Sequence, residues 1–263
     1  MKRYYKIYIQ FLKQYIKTLV EYKEDFIYGL FGFILVQFTS LIFISLIFNN
    51  IPSLKGWSFY EIIFIYGFSQ IPRGIDHIFT DYLWIFCRKS IIYGEFDRYL
   101  LRPLNPLFQV IAERFQPEGF GELLVGLILV IYSGIKLGVT ITPIWIISFI
   151  ISIIGGTLVY TGVKLATASI SFWTKNSFGH VQVAYSLSDF AKYPITIYPG
   201  GIKGLLIFII PFAFTGYYPA SYLLGKLNFF MGVISTLIIG IITISVAYMI
   251  WLKGVSSYES AGN

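Results

Sequence analysis

Apolar side chains in this chain come in runs near twenty residues long, separated by short polar or proline-bearing stretches. A bilayer core needs about 20 apolar residues per helical crossing, and inside it only helices or closed barrels satisfy every backbone N–H and C=O. The runs lack the two-residue alternation of a barrel strand, so the pattern predicts helices. It places spans at about Phe26 to Phe48, Phe59 to Asp81, Glu118 to Lys136, Pro143 to Phe172 and Asn228 to Trp251. Between the last two, Pro194, Pro199, Gly200, Gly201, Pro211 and Pro219 interrupt an apolar and aromatic stretch. We place a fifth span near Phe178 to Tyr193 and an extracytoplasmic, re-entrant broken helical pair over 194–226, whose loose backbone groups need protein cover. A competing arrangement makes Gly204 to Leu224 the fifth span and leaves 178–200 interfacial. Both total six, so the fold expected is an all-α polytopic membrane protein with one transmembrane domain over 1–263.

Residues 1–24 follow a different rule. At 100° per residue Lys2, Arg3, Lys6, Gln10, Lys13, Gln14, Lys17 and Glu21 fall on one arc, and Tyr4, Ile7, Tyr8, Phe11, Leu12, Tyr15, Ile16 and Leu19 fill the rest. A basic face opposite an aromatic one describes an interfacial helix in the headgroup plane; a helix docked on a partner protein is the alternative. This polar start is too long for a signal peptide, so the first apolar run is expected to stay as a helix.

Composition agrees with the pattern: 56% of residues are hydrophobic and 13% charged, far from soluble averages. The net charge of +7 resides between the apolar runs rather than along one surface, which argues for membrane topology and against a nucleic-acid partner. With the N-terminus inside, Lys2, Arg3, Lys6, Lys13, Lys17, Lys23, Arg88, Lys89, Arg98, Arg102, Arg114, Lys175 and Lys253 fall on the cytoplasmic side and Lys55, Lys136, Lys192, Lys203 and Lys226 outside. Both termini and the charged loop 86–117 are therefore expected in the cytoplasm. The single cysteine, Cys87, reads as a small buried side chain, and no Cys/His spacing suggests a metal. No phosphate-binding loop or hydrolase motif is present, so ATP is not expected on this chain.

Polar residues inside the runs are the candidate chemistry. Tyr66, Ser69, Gln70, Arg73, Asp76, His77 and Thr80 recur at three- and four-residue spacing along one face of the second span. Such a stripe is either a seam between helices or the lining of a substrate path. Tyr160, Lys164, Thr167 and Ser171 make a weaker stripe in the fourth span, with Lys164 in snorkelling reach of the inner surface. A membrane-embedded enzyme using Arg73, Asp76 and His77 on lipid or glycan, and a passive channel or anchoring subunit, are the alternative readings.

The loop 86–117 holds the sharpest local pattern, Gly94-Glu95-Phe96-Asp97-Arg98-Tyr99-Leu100-Leu101-Arg102-Pro103-Leu104-Asn105-Pro106. It reads as a short helix offering Phe96, Tyr99 and Leu100 beside Asp97 and Arg98 to a groove on a soluble partner, or as a solvated loop packed under its own bundle. The residues Gly94, Phe96, Asp97, Tyr99, Leu100, Leu101, Arg102, Pro103, Leu104 and Pro106 resemble the G-x-[FL]-D-x-[YF]-L-L-R-P-L-x-P loop of a bacterial branch of the ABC type 2 exporter permeases. The similarity extends over the basic start, the spans and the broken segment before the last span. It implies a permease dimer, of one chain or two related ones, in the bacterial cytoplasmic membrane. Two copies of a separate ATPase subunit, which carries the ATP and Mg, would engage Glu95 to Pro106 as a coupling helix. The cargo is unnamed; 25 Phe and 21 Tyr are compatible with amphipathic or hydrophobic compounds.

Overall fold

The computed structural model describes residues 2–21 and 23–259, and every regular element among them is helical. Among the described residues nine α-helices reach seven residues: α1 Lys2–Glu21, α2 Lys23–Asn50, α3 Phe59–Thr80, α4 Pro106–Ala112, α5 Gly119–Leu137, α6 Pro143–Ser169, α7 Phe178–Leu187, α8 Tyr217–Leu223 and α9 Ser235–Ser256. Their starts follow local chemistry. Ser58 and Glu61 form a reciprocal capping box before α3, and Thr142 caps α6 ahead of Pro143. Gly138, at φ +67°, ends α5 in the left-handed conformation that glycine adopts without a Cβ clash.

Among the described residues four helical stretches are long and apolar enough to cross a membrane: Ile27–Asn50, Gly119–Leu137, Pro143–Thr174 and Phe230–Ser256. A fifth is reached if Gly200–Ile209 and Phe212–Leu223, bent by 75° at Ile210 and Pro211, count as one broken span. The broken pair expected over 194–226 is thus present as a shape. The straight fifth span expected at Phe178 to Tyr193 is not: α7 is ten residues, about 15 Å long, half of a ~30 Å hydrocarbon core. It tightens into a 3-10 turn over Ser188–Lys192 and stops before Pro194, as serine side chains compete for backbone partners and proline bars continuation. The second expected span, α3, has the length, but its polar stripe lowers its hydropathy below that of a lipid-facing helix. It is instead the most enclosed helix, with Phe64, Ile65, Tyr66, Phe68, Ser69 and Gln70 fully buried.

Glycine sets how closely the helices approach. On α3 and α5, which run antiparallel, Gly67 faces Gly126 and Gly74 faces Gly119; a Cβ on Gly74 would stand 2.8 Å from the Gly119 carbonyl oxygen, and one on Gly126 2.7 Å from that of Gly67. On α6 and α9 a Cβ on Gly155 would meet the Thr236 carbonyl at 2.8 Å, and one on Gly240 the Gly155 carbonyl at 2.5 Å. In hydrocarbon, where apolar burial gives helices no reason to associate, such contacts supply the dispersion that holds them.

One end of the bundle is closed by an aromatic cluster in which Phe86, Phe96, Phe172 and Trp251 meet at ring distances of 5.1–6.0 Å. Cys87 is buried in the same cluster, its thiol donating to the Trp84 carbonyl, and burial pushes that thiol up to about 12. α1 lies at this end too: Tyr4 meets Phe108 of α4 edge-on at 4.8 Å and its hydroxyl accepts from the Asn105 amide. Lys6, Gln10, Lys13, Gln14 and Lys17 are exposed while Ile7, Tyr8, Phe11 and Leu12 are half-buried. The side chains of Lys2, Arg3, Tyr15, Ile16, Leu19 and Glu21, which complete the expected arcs, lie outside the described residues, as do residues 1, 22 and 260–263. α2 is attached to the bundle by few side chains, among them the buried Gln37 and Ile44, and leaves most of its apolar length exposed.

Candidate functional site

The expected stripe on α3 becomes part of a buried cluster of charges. Arg73 donates from Nη1 to Asp189 Oδ1 at 2.7 Å and from Nε to the Tyr185 hydroxyl at 3.1 Å; its Nε is also 3.5 Å from Glu122 Oε1. The guanidinium lies 4.4 Å from the centroid of the Tyr185 ring. His77 has Glu122 3.5 Å from Nδ1 and Asp81 3.5 Å from Nε2. Lys164 Nζ is 2.7 Å from Asp76 Oδ2 and 3.5 Å from Asp81, and Thr80 and Thr161 both donate to Asp76 Oδ1. Lys192 closes the set against Asp189 at 2.9 Å.

Four carboxylates, Asp76, Asp81, Glu122 and Asp189, thus face three permanent cations and one imidazole. A charge in low dielectric is tolerable only when paired and hydrogen-bonded, and here nearly every member has two partners. Asp189, 53% exposed at its side chain, is the most exposed member of the cluster, and His77 and Asp81 are partly exposed at 24% and 19%. Towards the far end of α3, the Tyr66 hydroxyl donates to Gln37 Oε1, and the Gln37 amide reaches Gln70 Oε1 at 3.5 Å. Tyr66, Gln70, Arg73, Asp76, His77 and Lys164 therefore belong to one polar column joining α2, α3, α5, α6 and α7. Among the described residues no group of His, Cys, Asp and Glu could hold a metal ion.

One expectation about Lys164 is corrected. It does not snorkel: its ammonium is enclosed, because Asp76 and Asp81 offer it closer anionic partners than headgroup water would. The partners themselves escaped sequence reading. Glu122 is a lone carboxylate in an apolar helix, and its signal was that isolation. Asp81, Tyr185, Asp189 and Lys192 fall beside a helix end or in a short irregular segment, where no period marks a face.

The loop 86–117 has an inner and an outer layer. Gly94 turns the chain at φ +67° and leads into the four-residue helix Asp97–Leu100. Phe96 and Tyr99, expected on an outward docking face, point inward and are fully buried: the Phe96 ring packs among Phe86, Phe172 and Trp251, and Tyr99 packs on Phe96 with its hydroxyl 3.3 Å from that of Tyr82. Gln109 ties the loop underneath, its Nε2 donating to the carbonyls of Tyr99 at 2.9 Å and Leu104 at 3.1 Å. Arg98 bridges the Tyr99 hydroxyl at 2.7 Å and Glu113 at 3.0 Å. Asp97 is half-buried; burial and the Asp97 carboxylate beside it push the Tyr258 hydroxyl up to about 12. What remains outside is a ridge of Glu95, Arg98, Leu100, Leu101, Arg102 and Pro103, with Leu101 85% exposed. Pro106 occupies the first turn of α4, where Asn105 accepts from the Phe108 amide.

The family model described as ABC-2 family transporter protein matches residues 34–262 of this chain. Comparison with curated proteins and with solved structures gives no match.

Proposed function

The chain belongs to the ABC-2 family of transporter proteins, and from that premise we propose that it is the permease subunit of an ABC exporter, driven by a separate ATPase that binds the outer ridge of the 86–117 loop. ATP and Mg are held by that partner, in two copies, beside a dimer of permease chains, and the cargo leaves the cytoplasm. The observation carrying this reading is the two-layer build of the loop. Phe96 fastens it to Phe86, Phe172 and Trp251, with Tyr99 packed behind Phe96, so force applied to Glu95, Arg98, Leu101 or Arg102 is passed to α6 and α9 rather than lost in a swinging loop. An apolar Leu101 flanked by Arg98 and Arg102 is suited to a groove with an acidic rim. The polar column is the bundle's second coupling element: Arg73 and Lys164 link α3 to α5, α6, α7 and the Ser188–Lys192 turn, so these elements move together or exchange ion pairs.

The test is co-purification with candidate ATPases of the same genome. Leu101→Asp with Arg102→Glu is expected to reduce permease-stimulated ATP hydrolysis at least tenfold while leaving helicity and monodispersity unchanged, since both side chains are exposed. Stimulation equal to that of the wild type removes the ridge as the coupling surface.

A further inference from the structure

At the end of the bundle away from the 86–117 loop, two cavities adjoin. One, of about 500 Å³, is polar at its walls: Glu61, Thr140, Thr142 and the turn at Gly225 line it. The other, of about 360 Å³, is apolar, lined by Phe64, Val130, Ile131, Gly134, Ile135 and Phe149. Val139 and Trp145 line both. The two spaces therefore form one cleft with a polar mouth and an oily floor, divided at Trp145.

Trp145 is held for that position. Its Nε1 donates to the Leu223 carbonyl at 3.1 Å and its ring stacks on Phe149 at 5.2 Å. An indole with one end wet and one end apolar marks the headgroup boundary. Below it the cleft follows the first turns of α3 and α6 and the last turns of α5, roughly 10 Å at 1.5 Å per residue. That depth lies within one leaflet of a ~30 Å core. Ile131 and Ile135, on the open side, are exposed on α5, which is long and apolar enough to cross the membrane, and Ile141 is exposed in the turn that follows it, so the floor is entered sideways from hydrocarbon, not from water. At the mouth Glu61 is paired with Lys226 at 2.8 Å, a carboxylate beside an ammonium, matching the two opposite charges of a zwitterionic headgroup.

We propose that this cleft is a binding site for one bilayer phospholipid, an acyl chain lying along Gly134 between α5 and α6 and the headgroup at Glu61, Thr140 and Thr142. Gly134 is the residue that leaves room: a Cβ there would meet only Phe64, at 3.8 Å, so a larger side chain enters the floor without displacing backbone. The site is independent of the ATPase assignment, resting only on the chain's crossing of a membrane.

The experiment uses the full chain in mixed micelles with a zwitterionic phospholipid bearing a diazirine on one acyl chain, read by peptide mass spectrometry. Labelling is expected to concentrate on residues 130–149, and to fall at least fivefold in Gly134→Phe while labelling of the exposed face of α9 is unchanged. A diazirine alkane lacking a headgroup is expected to label 130–149 no more than it labels α9. Native mass spectrometry is expected to show one retained phospholipid on the wild type and none on Gly134→Phe. Ile131→Trp, an exposed change at the rim, provides a second blocked variant with circular dichroism to verify folding. Uniform labelling of all apolar faces, equal labelling of the blocked variants, or equal concentration of the alkane at 130–149 overturns the proposal.

Discussion

The α3–α5 and α6–α9 seams are built alike and used differently. Both bring backbones together through glycine, Gly67 and Gly74 against Gly126 and Gly119 in one, Gly155 and Gly162 against Gly240 and Thr243 in the other. Along α6–α9 no ion pair crosses among the described residues, whereas Arg73 and His77 on α3 both reach Glu122 on α5. The α6–α9 pair shows that close approach needs no charge. The charges on α3 are then not needed for its close approach to α5, and their outer contacts say what else they hold: Arg73 ties Tyr185, near the end of α7, and Asp189, in the Ser188–Lys192 turn, to α3.

The comparison breaks most visibly at Asp76. Asp76→Leu leaves the Lys164 ammonium buried without its nearest anion, a change that costs about 3–5 kcal/mol when one partner of a buried pair is removed. A large fall in the detergent melting temperature is expected, with most of it recovered in Asp76→Leu plus Lys164→Met, which removes both charges together. Recovery of stability without recovery of transport would assign the pair to motion; a single variant as stable as the wild type would show that Lys164 finds other partners. Next come Gly74→Ala and Gly240→Ala, one in each seam. Each adds a methyl against a carbonyl oxygen, and overpacking of this kind costs about 1–3 kcal/mol. Similar losses of melting temperature are expected, but only Gly74→Ala should also alter ATP-coupled activity, since it displaces Glu122 from Arg73 and His77. Equal effects on activity would erase the distinction between the seams. The smallest effect is expected at the rim: Glu113→Gln removes a part-exposed pair with Arg98, worth about 0–1 kcal/mol. A loss beyond that range would make the Arg98 bridge a structural strut of the loop.

Legibility in the sequence followed the range of the interactions. The polar face of α3 was readable because Tyr66, Gln70, Arg73 and His77 obey a helical period that belongs to one continuous segment. Their partners were not, since the pairing of Arg73 with Asp189, 116 residues apart, exists only after the chain packs. The inward turn of Phe96 and Tyr99 was hidden for a related reason: a four-residue helix is too short to display a face, and the Phe96 ring is claimed by Phe172 and Trp251 and the Tyr99 hydroxyl by Tyr82, all from other segments. The 178–193 stretch misled because hydropathy counts apolar side chains and does not weigh the backbone competition of Ser186, Ser188 and Pro194, which shortens α7. The broken pair was legible from Pro211 and its neighbouring glycines, because proline acts on its own backbone wherever it stands.

The enclosure of Cys87 makes the protein a quiet background for thiol chemistry. A sulfhydryl that stays protonated at neutral pH, behind Trp84 and the ring cluster, gives a maleimide nothing to attack in the folded state. Introduced thiols at Asn105 and Lys55 would then be the reactive ones in otherwise native protein, and, with the 86–117 loop on the ATPase side as proposed, an impermeant reagent applied to intact cells should modify Lys55→Cys and spare Asn105→Cys.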